Sequence, residues 1–309
     1  MINCTNCTLA AQWKECALAL EVLMCACGVL GSTVCLWCLK TCDKTQAGTK
    51  IQLCSLFGTN AVVCLFAMPG TAVLELLFLR NRRVERATEV VFVVLYSMTA
   101  CVDQLALAVI AVYRLTAVYF PLKYKLWSRP TVVVAVEVAV TVPAVLALTL
   151  AFLFLDFDMG VPTDNAFGKI LYGVLYLLPI TIIVTAYGTM VSIVGFRRCG
   201  RRGDEARVLS WDQISLTICV LILMNLLLDF PHVTMHLMEV SWKEPSFVIV
   251  HAIYRLHFAL DPLVFVGLNQ RFRQKALQRA FSLVPGRCLP SSESSDRSQR
   301  NTAVPVSVP

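Results

Sequence analysis

Charge is scarce in this chain. Of its 309 residues only 15% are Asp, Glu, Lys or Arg and 57% are hydrophobic, giving a mean hydropathy of +0.69. A soluble domain carries about a quarter charged residues, so an ordinary globular enzyme is excluded. The signatures of common soluble chemistries are missing as well: there is no GxGxxG after a strand, no P-loop and no HExxH. Cys4 with Cys7 and Cys35 with Cys38 form CxxC pairs, but the second lies inside an apolar run and their separation is not a zinc spacing. Strict apolar–polar alternation is lacking too. Runs such as Val132–Phe154 therefore contradict a β-barrel. No internal repeat of the kind that builds transporters is seen, and no motif supports an enzyme.

What is present in quantity is long apolar blocks. A membrane-crossing helix needs about 20 mostly apolar residues for roughly 30 Å of hydrocarbon. Seven stretches qualify, near 17–39, 51–79, 87–113, 131–155, 169–196, 212–238 and 247–268. The expectation is an all-α membrane protein, a seven-transmembrane-helix bundle over 17–268, multi-pass in the plasma membrane. Orientation follows the positive-inside rule. With the N-terminus outside, the inner links carry three, four and five lysines and arginines and the tail seven, against one, four, one and one in the outer segments. Arg80, Arg82, Arg83 and Arg86 make the one dissenting outer patch.

The flanks fit that orientation. Residues 1–16 form the expected extracellular N-terminus, without a cleavable signal peptide. They hold the sequons Asn3-Cys4-Thr5 and Asn6-Cys7-Thr8, so Asn3 and Asn6 are candidate glycosylation sites. Residues 269–283 space Phe272, Ala276, Leu277, Ala280 and Phe281 on one face, with Arg271, Arg273, Lys275 and Arg279 elsewhere, as in a helix lying on membrane lipid. Residues 284–309 read as a disordered cytoplasmic tail. Cys288 is a candidate palmitoylation site, and Ser291, Ser292, Ser294, Ser295 and Ser298 form either a phosphorylated arrestin-binding cluster or a merely soluble tail. Cys4, Cys7 and Cys16 could form one bridge and leave one thiol.

The residues at the helix ends then become specific. Arg114 closes the third helix and is followed by Ala117-Val118-Tyr119-Phe120-Pro121-Leu122. Gly31-Ser32-Thr33-Val34 lies in the first helix, Pro143, Pro179 and Pro231 in the fourth, fifth and sixth, Tyr187 near the inner end of the fifth, and Asp261-Pro262-Leu263-Val264-Phe265 in the seventh. This joint spacing over residues 16–283 resembles the rhodopsin-like (class A) G-protein-coupled receptors, highly diverged. The departures resemble a fast-evolving orphan, virus-encoded or near the nucleotide, hydroxycarboxylic-acid and oxoeicosanoid receptors. Tyr113 stands where the resemblance implies an acid, Leu115 for a tyrosine, Asn60 for the second-helix aspartate, Asp261 for an asparagine and Phe265 for a tyrosine. Glu89 replaces the outer cysteine, so the family's outer disulfide is absent.

The resemblance implies a receptor that passes an extracellular signal to a heterotrimeric G protein through Arg114, Tyr113, Tyr187, Pro121 and Leu122. Asp229, Pro231, Asp261, Pro262 and Phe265 are then its activation switch. With no acid beside Arg114, the resting state loses an ion pair, which predicts ligand-independent activity; the competing reading is that coupling itself is lost. Asp103 and Asp261 with Asn60 form a candidate sodium site, or hold a proton instead. A charge at membrane depth costs at least ~2.5 kcal/mol, so it is kept paired, hydrated or protonated.

All four histidines fall in helices six and seven. His232, His236, His251 and Arg255 form a candidate pocket for an acidic or lipid-like ligand, with Arg255 gripping a carboxylate. The blander reading pairs Arg255 with Asp229 or Asp261 inside the bundle. A metal site built from two histidines is a further, weaker option. Against the receptor stands a second function: a non-coupling seven-helix partner, decoy or trafficking subunit.

Overall fold

A computed structural model describes residues 4–42, 45–79, 82, 84–154, 170, 173–200, 213–238, 240 and 245–282. Among them, seven helices are long and apolar enough to cross a membrane: Cys16–Thr41, Ala47–Leu74, Arg86–Tyr119, Pro130–Leu153, Gly173–Ile193, Ile214–Leu237 and Ile249–Leu268. They are called spans one to seven below. The protein is a multi-pass membrane protein with a seven-helix fold. Each apolar block of the sequence thus becomes one span. The ends differ by a few residues, most at the first helix, which begins at Cys4 rather than near residue 17.

Proline shapes two spans. Helix two passes through a wide π-helical turn at Val63–Ala67, just ahead of Pro69, and span five opens on another at Gly173–Leu177, just ahead of Pro179. A proline ring collides with the carbonyl four residues earlier and donates no N–H. One extra residue in the preceding turn absorbs that collision. Pro143, Pro231 and Pro262 sit within continuous helices.

Lipid contact is legible on span four. Val134, Val138, Val142, Leu146, Leu150 and Leu153 are all exposed and recur every three or four residues, one stripe along a helix. Water would penalise such a stripe, and hydrocarbon does not. The opposite face packs Ala144 and Leu148 against Cys101 of span three and Tyr176 of span five. The largest core cluster fills the inner half, joining Cys35 and Leu39, Leu53 and Phe57, Leu107 and Ile110, Ile183, Leu221 and Phe265.

Span one packs extensively along span seven, and glycine permits the close approach. A Cβ at Gly31 would lie 2.8 Å from Pro262 Cγ, and one at Gly28 would lie 3.3 Å from the Phe258 carbonyl oxygen, both of span seven. Beyond span seven, a helix over Gln270–Ser282 turns back under the bundle. Phe272 is buried and tilted against Phe265 at 5.1 Å, and Lys275 Nζ donates to the Thr41 carbonyl. It occupies most of the 269–283 stretch. The second inner link also holds a short helix, Pro121–Trp127, that periodicity alone did not indicate. Tyr124 and Ser128 there bind Gln46 in the first inner link, at 3.0 and 2.8 Å.

Candidate functional site

The polar residues buried among these apolar helices fall into three layers, and each follows from where its helix places it. At the inner end, Arg114 is buried near the end of span three. Its guanidinium donates to Thr49 Oγ1 of span two at 3.5 Å and to Ser215 Oγ of span six at 3.4 Å. Both are long, and both partners are neutral. Tyr113, in the place of the expected acid, is buried against Val109 and Val133. Tyr187 is buried, and its hydroxyl has no hydrogen-bond partner among the described residues. Pro121 and Leu122 are exposed on the inner face, Leu122 at 86%.

The middle layer links four spans: two, three, six and seven. Asp261 of span seven accepts from Asn225 Nδ2 of span six at 2.8 Å and from Asn60 Nδ2 of span two at 3.3 Å. Asp103 of span three faces His257 Nε2 of span seven at 3.6 Å, both fully enclosed. Asp229 accepts a hydrogen bond from Gln104, its neighbour across spans six and three. The three acids therefore each have their own partner. Asn60 Oδ1, Asn225 Oδ1 and both oxygens of Asp103 have no hydrogen-bond partner among the described residues. Of the residues expected to form a sodium site, Asp261 and Asn60 therefore meet, while Asp103 faces His257. The His257 imidazole is a source of positive charge for the same layer. Phe265 lies just inward, 5.0 Å from Phe57, filling with ring carbon the place where a hydroxyl was expected.

The outer layer corrects the sequence reading. Arg255 pairs neither with Asp229 nor with Asp261 but with Glu21 of span one. Asp261 lies six residues further along the same helix, roughly 9 Å deeper, and Asp229 is occupied by Gln104. Glu21 sits at the right level because span one runs along span seven. The Tyr96 ring covers the guanidinium from span three at 5.2 Å. Glu21 was the missed residue, and its signal was available: a lone acid inside the first apolar run needs a partner.

The histidines divide. His257 belongs to the middle layer, whereas His232, His236 and His251 converge at the outer ends of spans six and seven. His236 Nε2 lies 3.2 Å from His232 Nε2 and 3.2 Å from His251 Nε2. Three rings, rather than two, thus meet. The spacing of His232 and His236 puts them one turn apart on one face, and only the fold adds His251.

Cys16 carries a free, exposed thiol, and the side chains of Cys4 and Cys7, considered with it for a bridge, lie outside the described residues. Asn3 and Cys288 lie outside the described residues, as do the side chain of Asn6 and the serine cluster of the tail. A family profile described as "Serpentine type 7TM GPCR chemoreceptor Srsx" matches residues 25–280. No curated protein matches the chain.

Proposed function

The chain belongs to the serpentine-type seven-transmembrane GPCR chemoreceptor family Srsx, and from that premise we propose that it is a plasma-membrane receptor coupling an extracellular ligand to a heterotrimeric G protein, with activity in the absence of ligand. The observation that carries this reading is the setting of Arg114. It lies buried at the inner mouth of the bundle, tied to spans two and six by two long contacts with neutral hydroxyls. No acid among the described residues forms an ion pair with it. A contact of this kind resists separation of spans three and six weakly. Leu122, exposed on the short inner helix, offers an apolar contact to a cytoplasmic partner. The register of Arg114, Pro121, Tyr187 and Asp261-Pro262 supports a rhodopsin-like arrangement of these parts.

An ion pair at a partly exposed site contributes ~0.5–1 kcal/mol. Its loss raises a minor active state by about two- to fivefold. The outer layer bears on ligand class: an acidic ligand that uses Arg255 must exchange for Glu21.

The test is ligand-free G-protein activation in cells, comparing wild type with Arg114→Ala and Tyr113→Asp at matched surface expression. Basal signalling should disappear in the first variant and fall severalfold in the second. Wild-type silence across every G-protein class would refute ligand-independent activity and favour the non-coupling partner, for which the Phe265 ring in place of a hydroxyl is the supporting observation.

A further inference from the structure

We propose that His232, His236 and His251 form a binding site for a divalent transition cation of the zinc class, clamping the outer ends of spans six and seven.

Geometry carries the assignment. All three residues present a ligand nitrogen within 4.8 Å of the others, and two of the three separations are 3.2 Å between Nε2 atoms. A tetrahedral zinc with Zn–N bonds of ~2.0–2.1 Å sets adjacent ligand nitrogens about 3.3 Å apart. The cluster therefore needs little rearrangement to close on an ion.

Protonation supports the same conclusion. His251 Nδ1 lies 2.9 Å from the Phe247 carbonyl oxygen. A carbonyl only accepts, so Nδ1 carries the proton and Nε2 turns a lone pair toward His236. A ring N–H held by a backbone carbonyl is the usual outer support of a metal-bound histidine, fixing both tautomer and orientation. Around the resulting triangle of Nε2 atoms, one N–H has to serve two neighbours at once. A cation instead accepts all three lone pairs together.

The rings are also held in place. His232 is stacked on Tyr254 with centroids 3.9 Å apart and planes 7° from parallel, and His251 stacks on Phe247 at 3.8 Å. His232 is buried, and the other two are half-buried. A set of three imidazoles with no carboxylate selects zinc, copper, nickel or cobalt and disfavours calcium and magnesium. A fourth position falls to water or to an incoming ligand, as in zinc sites that retain an exchangeable ligand. Because two of the histidines belong to span six and one to span seven, a bound ion joins the two spans across their outer link.

Metal binding is measured directly, so its failure is separate from any failure of receptor function. The full chain in lipid nanodiscs is titrated with Co2+ and followed by visible absorption, then challenged with Zn2+. The expected result is one tetrahedral Co2+ spectrum without thiolate charge-transfer bands, displaced by Zn2+. His251→Gln and His236→Gln should each weaken binding by more than about 100-fold, beyond the 10–100-fold typical of losing an outer-shell partner. Thermal midpoints in EDTA report whether the variants remain folded; if either does not, the wild-type spectrum and its Zn2+ displacement decide alone. Folded wild type that takes up no Co2+, or whose Co2+ shows thiolate bands from the cysteines, overturns the proposal. Undiminished binding by folded variants does the same.

Discussion

Glu21→Gln keeps the volume and hydrogen-bonding ability of the side chain and removes only the charge facing Arg255. The guanidinium then stays buried between spans one, three and seven without the carboxylate charge of Glu21, with the Tyr96 ring face at 5.2 Å among its other contacts. Stranding one member of a buried ion pair costs roughly 3–5 kcal/mol. The cation–π contact offsets about 1 kcal/mol of that, so the expected loss is about 2–4 kcal/mol. Arg255→Gln should cost a similar amount by stranding Glu21. The double replacement should recover most of the loss, leaving a coupling of about 2 kcal/mol or more. Equilibrium unfolding by a denaturing detergent in mixed micelles supplies the four free energies of the cycle. Losses that simply add, within about 0.5 kcal/mol, would mean that the charges are not coupled and that this account of span one on span seven is wrong. The same variants separate the ligand readings. If an acidic ligand takes the guanidinium, Glu21→Gln increases its affinity while Arg255→Gln abolishes the response. A ligand that never meets Arg255 is indifferent to both, apart from effects of expression.

Two further outcomes follow from the middle layer and the helix packing. Replacing choline by sodium should raise the unfolding free energy of the wild type, by about 1.4 kcal/mol at ten times the dissociation constant, and Asp261→Asn should remove the difference. Equal stability in the two salts would leave His257 as the layer's source of positive charge. Gly31→Val should destabilise by about 1–3 kcal/mol, because its Cβ would lie 2.8 Å from Pro262 Cγ, whereas Gly58→Ala, with nothing within 4 Å, should be neutral or stabilising. Both are read by the same detergent unfolding, and an unaffected Gly31→Val would refute the close approach of spans one and seven.

The spans were readable because their cause is one-dimensional. A helix crossing hydrocarbon satisfies its own backbone hydrogen bonds, so length and hydropathy along the chain suffice. The helix at Gln270–Ser282 was readable for a similar reason: its amphipathic period is local. The turn at Val63–Ala67 was harder. Pro69 announces a disturbed helix, but whether the helix kinks, breaks or gains a residue depends on what packs around it, here Met24, Tyr254 and Phe258. The short helix at Pro121–Trp127 is held by Gln46 from another link, and no periodicity within seven residues reports that.

The buried polar groups show where one-dimensional reading stops. Sequence gives the depth of a charge along its own helix but not the rotation of the neighbouring helix, and partners are chosen by both. Asp229 and Asp261 were attractive partners for Arg255 because they are acidic and nearby in sequence. Depth already disfavoured Asp261, and Asn60 and Asn225 complete its hydrogen bonds at 3.3 and 2.8 Å. Glu21 was overlooked because it is more than two hundred residues away along the chain, yet a single acid in an otherwise apolar span cannot remain unpartnered at low dielectric. The same argument separates the histidines. His257 is six residues from His251, less than two full turns, and that offset directs it toward Asp103 in the middle layer rather than toward the outer cluster. Pairing each intramembrane charge with the acid, amide or imidazole at its own depth, before considering neighbours in sequence, would have reached Glu21 from the chain alone.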